Sequence, residues 1–187
     1  MFFYIFFFIV ATQRLVEVLI AKKNEIWMKS KGAKEYGQRH YQLMVAIHFF
    51  FFVSLIVESV LGRFVLNSYW PLLVAVFFIA QVCRIWVIMS LGRYWNTKII
   101  VLKDAEVVAK GPYKFIKHPN YLIVTIELLI IPLIFNAYWT LFVFGILNQL
   151  ILAIRIPLEE EVLMQQTNYE GKLNSKRRFI PLLKKSR

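Results

Sequence analysis

The amino-acid sequence predicts an all-α integral membrane protein with about five transmembrane helices. Hydrophobic residues make up 59% of its 187 positions, a share well above that of a soluble domain. Four or five apolar runs approach the length that a helix needs to cross a bilayer, roughly 20 residues. Too little chain remains outside these runs for a separate soluble core, so we expect one membrane domain over residues 1–187.

The formal charge of +12 is distributed unevenly along the chain. Lysines and arginines collect in three blocks, Lys22 to Arg39, Arg93 to Lys117 and Lys172 to Arg187. Alternating basic and non-basic loops follow the positive-inside rule. They predict a multi-pass protein of the cell membrane with its N-terminus outside and its C-terminus in the cytoplasm. The charge is not accompanied by a basic recognition helix or a stacking platform, so we expect no nucleic-acid partner.

The apolar runs give the order of the helices. They are Phe2 to Ala21, Leu43 to Leu61, Tyr69 to Leu91, Tyr121 to Phe135 and Tyr138 to Ile156. Only two residues separate the last two runs, which predicts a hairpin of antiparallel helices. The fourth run is short and contains Pro132, so its length is marginal for a full crossing.

Two connecting segments carry further patterns. The basic loop that begins at Lys22 contains Trp27, Tyr36 and Tyr41, which suits an amphipathic segment lying at the membrane interface. Apolar alternation around Lys98 to Leu102 predicts a short strand within the long polar loop after the third run.

Several polar residues interrupt the apolar runs. Arg14 and Glu17 are three apart, so they share a helix face and can pair near the membrane interface or toward neighbouring helices. Gln81 and Arg84 have the same spacing, and an intramembrane Arg is expected to face protein or a water-filled cavity. His48 is isolated and is interpreted as structural.

Residues 111–121 read GPYKFIKHPNY and open the fourth helix. Pro112 and Pro119 lack backbone N–H groups and break helix, while Asn120 is suited to cap the helix that follows. A helix N-terminus can receive a carboxylate or phosphate, and His118 and Tyr121 add hydrogen-bonding groups beside it. Taken alone, the stretch is equally compatible with an interfacial belt that only turns and anchors the chain.

Residues 155–161 read RIPLEEE. Arg155 and Glu159 are four apart and lie on one helix face, and Pro157 is expected to disturb the turn between them and to expose backbone groups toward a cavity. The planar fork of Arg suits an anion, and Glu159 can hold a cationic amine. An ordinary ion pair at a helix end explains the spacing equally well.

Together the two segments resemble the isoprenylcysteine carboxyl methyltransferase family. The resemblance rests on GPYKFIKHPNY, the helical hairpin, R-x-x-x-E-E, a downstream Tyr and Phe-Ile-Pro, and it covers residues 91–181, which we take as the methyltransferase core. The first motif occurs in looser form in phospholipid methyltransferases and membrane sterol reductases.

This resemblance implies an S-adenosylmethionine-dependent O-methyltransferase without a Rossmann fold. Its cofactor pocket would lie on the cytoplasmic side, between the last two helices and the C-terminal segment, and a lipophilic substrate would enter through a gap between helices. Arg155 would be the catalytic residue at the acidic oxygen of the substrate. Carried over by motif, the cofactor-binding residues would be Val107, Val108, Tyr113, His118, Pro119, Asn120, Tyr121 and Glu159.

A narrower resemblance concerns the acceptor. The stretch W-x-T-x-x-I, here Trp95, Thr97 and Ile100, and Glu127 in the fourth helix are similar to a bacterial subgroup that O-methylates long-chain alkylpyrones. This similarity implies that Trp95 and Glu127 lie at the substrate beside Arg155. It also implies a functional link to a type III polyketide synthase and contact with membrane lipid. A prenylcysteine-type carboxylate is the second acceptor that the family implies.

Two other readings stay open from the residues. A phospholipid-type N-methyltransferase would share the cofactor motif, although Arg155 would repel an ammonium head group. A small transporter or membrane scaffold would use the intramembrane residues as a polar path, namely Arg14, Glu58, Gln81, Arg84 and Glu127. We predict no metal site, because the three histidines are scattered without ligand spacing.

Overall fold

The computed structural model describes residues 1–173 and 176–179 and confirms the all-α membrane architecture. Ile180 and Pro181, the end of the predicted core, lie outside the described residues. In chain order the elements are α1 Phe2–Ser30, β1 Lys34–Tyr36, α2 Gln38–Leu61, α3 Trp70–Leu91, β2 Ile99–Val101, α4 Pro119–Ile134, α5 Tyr138–Gln166 and α6 Tyr169–Leu173.

Four of these helices, α1, α2, α3 and α5, are long and apolar enough to cross a membrane. Helix α4 is apolar but has 16 residues, or about 24 Å at 1.5 Å per residue. This is less than the ~30 Å hydrocarbon core of a bilayer. The short fourth run therefore becomes a short fourth helix, joined to α5 by the tight predicted connection.

Helix α1 is longer than the sequence predicts. We expected a helix ending near Ala21 and a basic loop after it, and that boundary is wrong, because α1 continues to Ser30. The additional turns are held by tertiary contacts: Asn24 donates to the Trp95 carbonyl at 2.7 Å, and Lys98 donates to Glu25 at 3.0 Å. Polar partners on a neighbouring loop therefore stabilise helix where hydropathy alone indicates none.

The predicted strand is present as β2, and it pairs in antiparallel register with β1, Lys34 opposite Val101 and Tyr36 opposite Ile99. All three β2 residues are buried. Strand β1 has the sequence KEY and offers no apolar alternation, so its partner role could not be predicted.

An aromatic core fills one end of the helix bundle. It joins the start of α1 and α3 to the end of α2 and α4, with Phe3 and Phe135 rings 4.8 Å apart in edge contact and Phe6 and Phe77 rings 5.0 Å apart. Helix α3 packs along α4, and α5 packs along both α2 and α4. Tight packing at this end leaves the opposite end, which carries the small sheet and the GPYKFIKHPNY stretch, free to form a cavity.

Candidate active site

A cavity of about 540 Å³ lies between the helices at the end that carries the sheet. Its walls come from helices α1 to α5, from β2 and from the loops on either side of it. Nine of the eleven site residues predicted from the sequence line it, and the exceptions are Pro119 and Glu127. The nine are Trp95, Val107, Val108, Tyr113, His118, Asn120, Tyr121, Arg155 and Glu159.

The stretch GPYKFIKHPNY enters the cavity wall as a short 3₁₀ turn, Gly111–Lys114, followed by α4. Pro119 is the first residue of α4, where its missing N–H costs nothing, and His118 precedes it at the N-cap. The prediction that Asn120 caps this helix is therefore wrong, because Asn120 already lies inside the first turn. Its Oδ1 is buried without a hydrogen-bond partner among the described residues.

Gly111 starts this turn at a position that requires glycine. Its φ is +57°, a left-handed conformation, and an added Cβ would lie 2.0 Å from the Ser90 Oγ and 3.1 Å from the Trp86 Nε1 on α3. The turn therefore packs against α3 more closely than any side chain permits.

We expect Gly111→Ala to lower the melting temperature of the purified protein in detergent and to weaken its ligand binding. Two costs add: the left-handed backbone conformation costs an alanine about 1 kcal/mol, and overpacking against α3 costs about 1–3 kcal/mol. Gly92→Ala is the matched control, since Gly92 has a similar φ of +54° but open space around its Cβ. Equal melting temperatures for the two variants would contradict the close packing.

His118 is fixed by a hydrogen-bond network with the C-terminal segment. Its Nε2 lies 2.9 Å from the Glu160 Oε1, and Arg178 donates to the Glu160 Oε2 at 2.8 Å. The backbone N–H groups of Lys117 and His118 donate to the carbonyls of Arg177 and Arg178 at 3.0 and 3.1 Å. Residues 176–179 are thereby tied to the wall of the cavity.

Glu160 was missed by the sequence analysis. The run of three glutamates does not show which carboxylate faces inward, and we assigned only Glu159. The signal that could have identified Glu160 is the His118 of the GPYKFIKHPNY motif, because a buried His beside a helix end needs a hydrogen-bond acceptor.

Arg155 and Glu159 are linked through one hydroxyl. The Arg155 Nε donates to the Tyr121 Oη at 2.8 Å, and the Tyr121 hydroxyl in turn donates to Glu159. A second Arg155 nitrogen, Nη2, donates to the Thr97 carbonyl. Among the described residues its Nη1 has no hydrogen-bond partner, so the buried guanidinium retains donor capacity on the side of the cavity.

Helix α5 runs through Pro157 without interruption, and both Arg155 and Glu159 face the cavity from it as their spacing predicts. Pro157 itself is exposed and does not line the cavity.

Three buried polar atoms, each on a residue that lines the cavity, are unpaired among the described residues. They are the Trp95 Nε1, the Asn120 Oδ1 and the Tyr169 Oη. Buried polar groups are normally hydrogen-bonded, because leaving one unpaired costs about 1–3 kcal/mol. A donor, an acceptor and a hydroxyl on residues of one cavity wall therefore lack partners that a polar ligand could supply.

Tyr169 comes from α6 and is the downstream Tyr of the sequence pattern, to which we gave no role. Burial raises the pKa of Tyr169, with Glu160 and Glu159 adding to the effect, and burial also raises the pKa of Tyr113. Both hydroxyl groups therefore stay protonated at neutral pH and can donate hydrogen bonds.

The cavity continues from this polar end to the apolar surface of the bundle. Leu15 and Val18 of α1 line it together with Val45, Phe49 and Phe52 of α2. Phe49 is 62% exposed and Leu15 is 66% exposed, on faces that membrane lipid would cover. A single cavity thus joins polar groups at the sheet end to a lipid-facing opening between α1 and α2.

A charged cluster forms the membrane-deep wall of the cavity. Arg14 donates to Glu17 at 2.7 Å, which confirms the predicted i,i+3 pair. Arg14 and Arg84 both bind Glu127, and Gln81 donates to Glu127 at 2.7 Å. Arg14, Glu17 and Arg84 line the cavity, whereas Glu127 is 1% exposed and lies behind them.

His48 and His118 have different hydrogen-bond partners. The His48 Nδ1 lies 2.8 Å from the Met44 carbonyl on its own helix, and His48 lines the same cavity as His118, so its structural interpretation stays a prediction. Within residues 1–173 and 176–179, no group of three or more His, Cys, Asp or Glu side chains could hold a metal ion.

Known proteins resemble the chain over most of its length. Residues 73–165 match the model of the isoprenylcysteine carboxyl methyltransferase (ICMT) family. The uncharacterized protein YpbQ of Bacillus subtilis (strain 168) is 42% identical over 163 residues, 87% of this chain and 97% of YpbQ. An uncharacterized protein of Haemophilus influenzae is 30% identical over 151 residues, 80% of this chain and 88% of that protein. Similarity to these relatives thus extends well beyond the segment matched by the family model.

Proposed function

We propose a methyl-transfer function from the premise that the chain belongs to the isoprenylcysteine carboxyl methyltransferase family and is a multi-pass membrane methyltransferase. The chain transfers a methyl group from S-adenosylmethionine to an acidic oxygen of a lipophilic acceptor. The observation that carries the proposal is the single cavity with a polar end and a lipid-facing opening. Such a cavity can bring a water-soluble cofactor and a lipid into contact. We place the protein in the cell membrane with the sheet end in the cytoplasm, since the first two basic blocks and the described part of the third lie there.

The residues at the polar end fit the groups of the cofactor. Glu159 supplies a carboxylate for an ammonium group, and the Asn120 Oδ1, which no described residue pairs, is an acceptor suited to an amino group. His118 is held by Glu160, and the cavity volume lies in the range of small-molecule sites. When bound, S-adenosylmethionine supplies a methyl group on a cationic sulfur that leaves as a neutral thioether.

Arg155 is proposed to orient the acceptor. Its Nε and Nη2 are fixed by Tyr121 and Thr97, so the remaining donor has a defined direction and can bind an oxygen anion. An alkylpyrone hydroxyl is a vinylogous acid and, like a carboxylate, loses its proton to water before transfer. The acceptor oxygen then needs positioning rather than a strong base, and the closed polar end excludes competing water.

A long-chain alkylpyrone is the acceptor that we favour, with a prenylcysteine-type carboxylate as the other candidate. Trp95 is 2% exposed and lines the cavity, and its Nε1 has no partner within the part of the chain that the structure describes, so it can donate to an oxygen of a flat ring. The apolar opening between α1 and α2 offers a path for a long alkyl tail. Production of such acceptors by a type III polyketide synthase would make that enzyme the functional partner.

The test is methyl transfer from methyl-labelled S-adenosylmethionine by the purified protein to a 4-hydroxy-6-alkyl-2-pyrone. We expect organic-soluble label that survives mild alkali, because an ether forms. Label released as methanol would indicate an ester and move the assignment to carboxylates. Label in a phospholipid head group would indicate an N-methyltransferase. A protein that transfers no label and does not bind S-adenosylhomocysteine would overturn the proposal in favour of a transporter or scaffold.

A further inference from the structure

The charged cluster in the membrane-deep wall is not used by the proposed transfer. Arg14 and Glu17 of α1, Arg84 of α3 and Glu127 of α4 meet between the helices. Ionisable groups inside a membrane are costly, and they are retained where they pair with one another or serve a cavity. The cluster does both, because its members form ion pairs and three of them line the cavity.

Arg14 differs from the other members in accessibility. A quarter of its side chain, 24%, is accessible, against 3% for Arg84 and 1% for Glu127. Its Nη1 and Nη2 are committed to Glu17 and Glu127, while its Nε has no hydrogen-bond partner among the described residues. The guanidinium is therefore held rigidly by two carboxylates and retains a donor beside the cavity.

The charge balance of the cluster explains why Arg14 can serve a ligand. Glu127 is already paired with Arg84 and hydrogen-bonded by Gln81, so it does not depend on Arg14 alone. Two arginines face two glutamates, and the cluster carries no net charge that would repel a neutral or anionic acceptor. Arg14 is the most accessible cation of the cluster, and it lies beside the opening flanked by Leu15 and Val18. Packing of the helices alone does not require a cation at that place.

We propose that Arg14 is a specificity-determining residue that binds a second oxygen of the acceptor. This inference rests on the proposed function and deepens it: the preferred acceptor is an acidic hydroxyl conjugated to a carbonyl group, with one oxygen at Arg155 and the carbonyl at Arg14. Glu17 and Glu127 are positioning residues, since they act on the acceptor only through Arg14. A substrate with a single oxygen would bind to Arg155 without using the deeper contact.

The test compares two acidic acceptors of equal chain length, a 4-hydroxy-6-alkyl-2-pyrone and a 3-alkyl-2,6-dichlorophenol, whose hydroxyl is acidified by the halogens but which lacks the carbonyl. In Arg14→Gln we expect the KM for the pyrone to rise about 10-fold or more, since a charge-assisted hydrogen bond is lost. The KM for the phenol and the affinity for S-adenosylhomocysteine should stay within about 2-fold of the wild type.

Gln81→Ala is the matched control, because Gln81 binds the same Glu127 from the side away from the cavity. It should leave the KM of both acceptors unchanged. Equal rises in the two KM values, or the same rise in both variants, would show a purely structural cluster and overturn the inference. An unchanged pyrone KM in Arg14→Gln would overturn it as well.

The proposed function and the inference fail in different ways. If the wild-type protein binds S-adenosylhomocysteine but methylates neither acceptor, the proposed substrate class is wrong and the role of Arg14 falls with it. If the wild-type protein methylates the pyrone and Arg14→Gln does so with the same KM, only the inference is wrong.

Discussion

Arg155→Ala is expected to reduce methyl transfer by about 10²–10³-fold, the usual cost of removing a donor aimed at a reacting oxyanion. The affinity for S-adenosylhomocysteine should change by no more than about 3-fold, because Arg155 is proposed to contact the acceptor and not the cofactor. Turnover under saturating cofactor and calorimetric binding of S-adenosylhomocysteine measure the two quantities separately.

Two further variants make this expectation specific. Arg155→Lys keeps the positive charge but cannot bind Tyr121 and Thr97 at once as the guanidinium does, so we expect an intermediate loss of about 10-fold or more. Arg39→Ala removes an exposed cation of α2 that does not line the cavity, and it should leave turnover unchanged. Parallel losses of turnover and of cofactor affinity in a folded Arg155→Ala protein would move Arg155 to the cofactor side.

The sequence predicts the helices better than their ends. A long apolar run that crosses a bilayer forms a helix, because there every backbone polar group must find its hydrogen-bond partner within the same helix. The C-terminal turns of α1 depend instead on contacts between Asn24, Glu25 and a loop about 70 residues later. Strand β1 depends in the same way on β2. Contacts over such separations leave no local periodicity, so neither feature could be predicted from one sequence.

The residues of the candidate site could also be predicted only in part. Motif resemblance selected residues that line one cavity although they are distant in sequence, from Trp95 to Glu159. It did not show which chemical partner each side chain has. Asn120 has the residue type of a cap, but Pro119 sets the first turn and leaves its Oδ1 buried and unpaired among the described residues. The role of Glu160 depends on the phase of α5 relative to α4, which only the packed structure fixes.

Three consecutive glutamates at the end of α5 provide the second prediction. Glu159 lines the cavity and accepts from the Tyr121 hydroxyl, Glu160 binds His118 and Arg178, and Glu161 is exposed. Substitution of each by Gln removes one charge with almost no change in shape. The helix is the same in all three variants, so their differences report only the surroundings of each carboxylate.

We expect Glu159→Gln to weaken S-adenosylhomocysteine binding about 30-fold, because a hydrogen bond to a charged group contributes about 2 kcal/mol. The amide oxygen of the variant can still accept a hydrogen bond from Tyr121, so Arg155 stays in place. The variant therefore tests the loss of charge without a loss of structure. Glu160→Gln should lower the melting temperature by about 2–4 °C per kcal/mol lost, because Arg178 loses its ionic partner.

Glu161→Gln should change neither quantity, since its carboxylate is exposed and contributes little. The discriminating result is the order of the cofactor affinities. If Glu160→Gln weakens binding more than Glu159→Gln does, the ammonium group of the cofactor is held on the His118 side of the cavity, and the assignment of Glu159 is wrong. If Glu159→Gln alone loses affinity while melting at the wild-type temperature, its carboxylate acts on the ligand, and the Glu160 network acts on the wall that surrounds it.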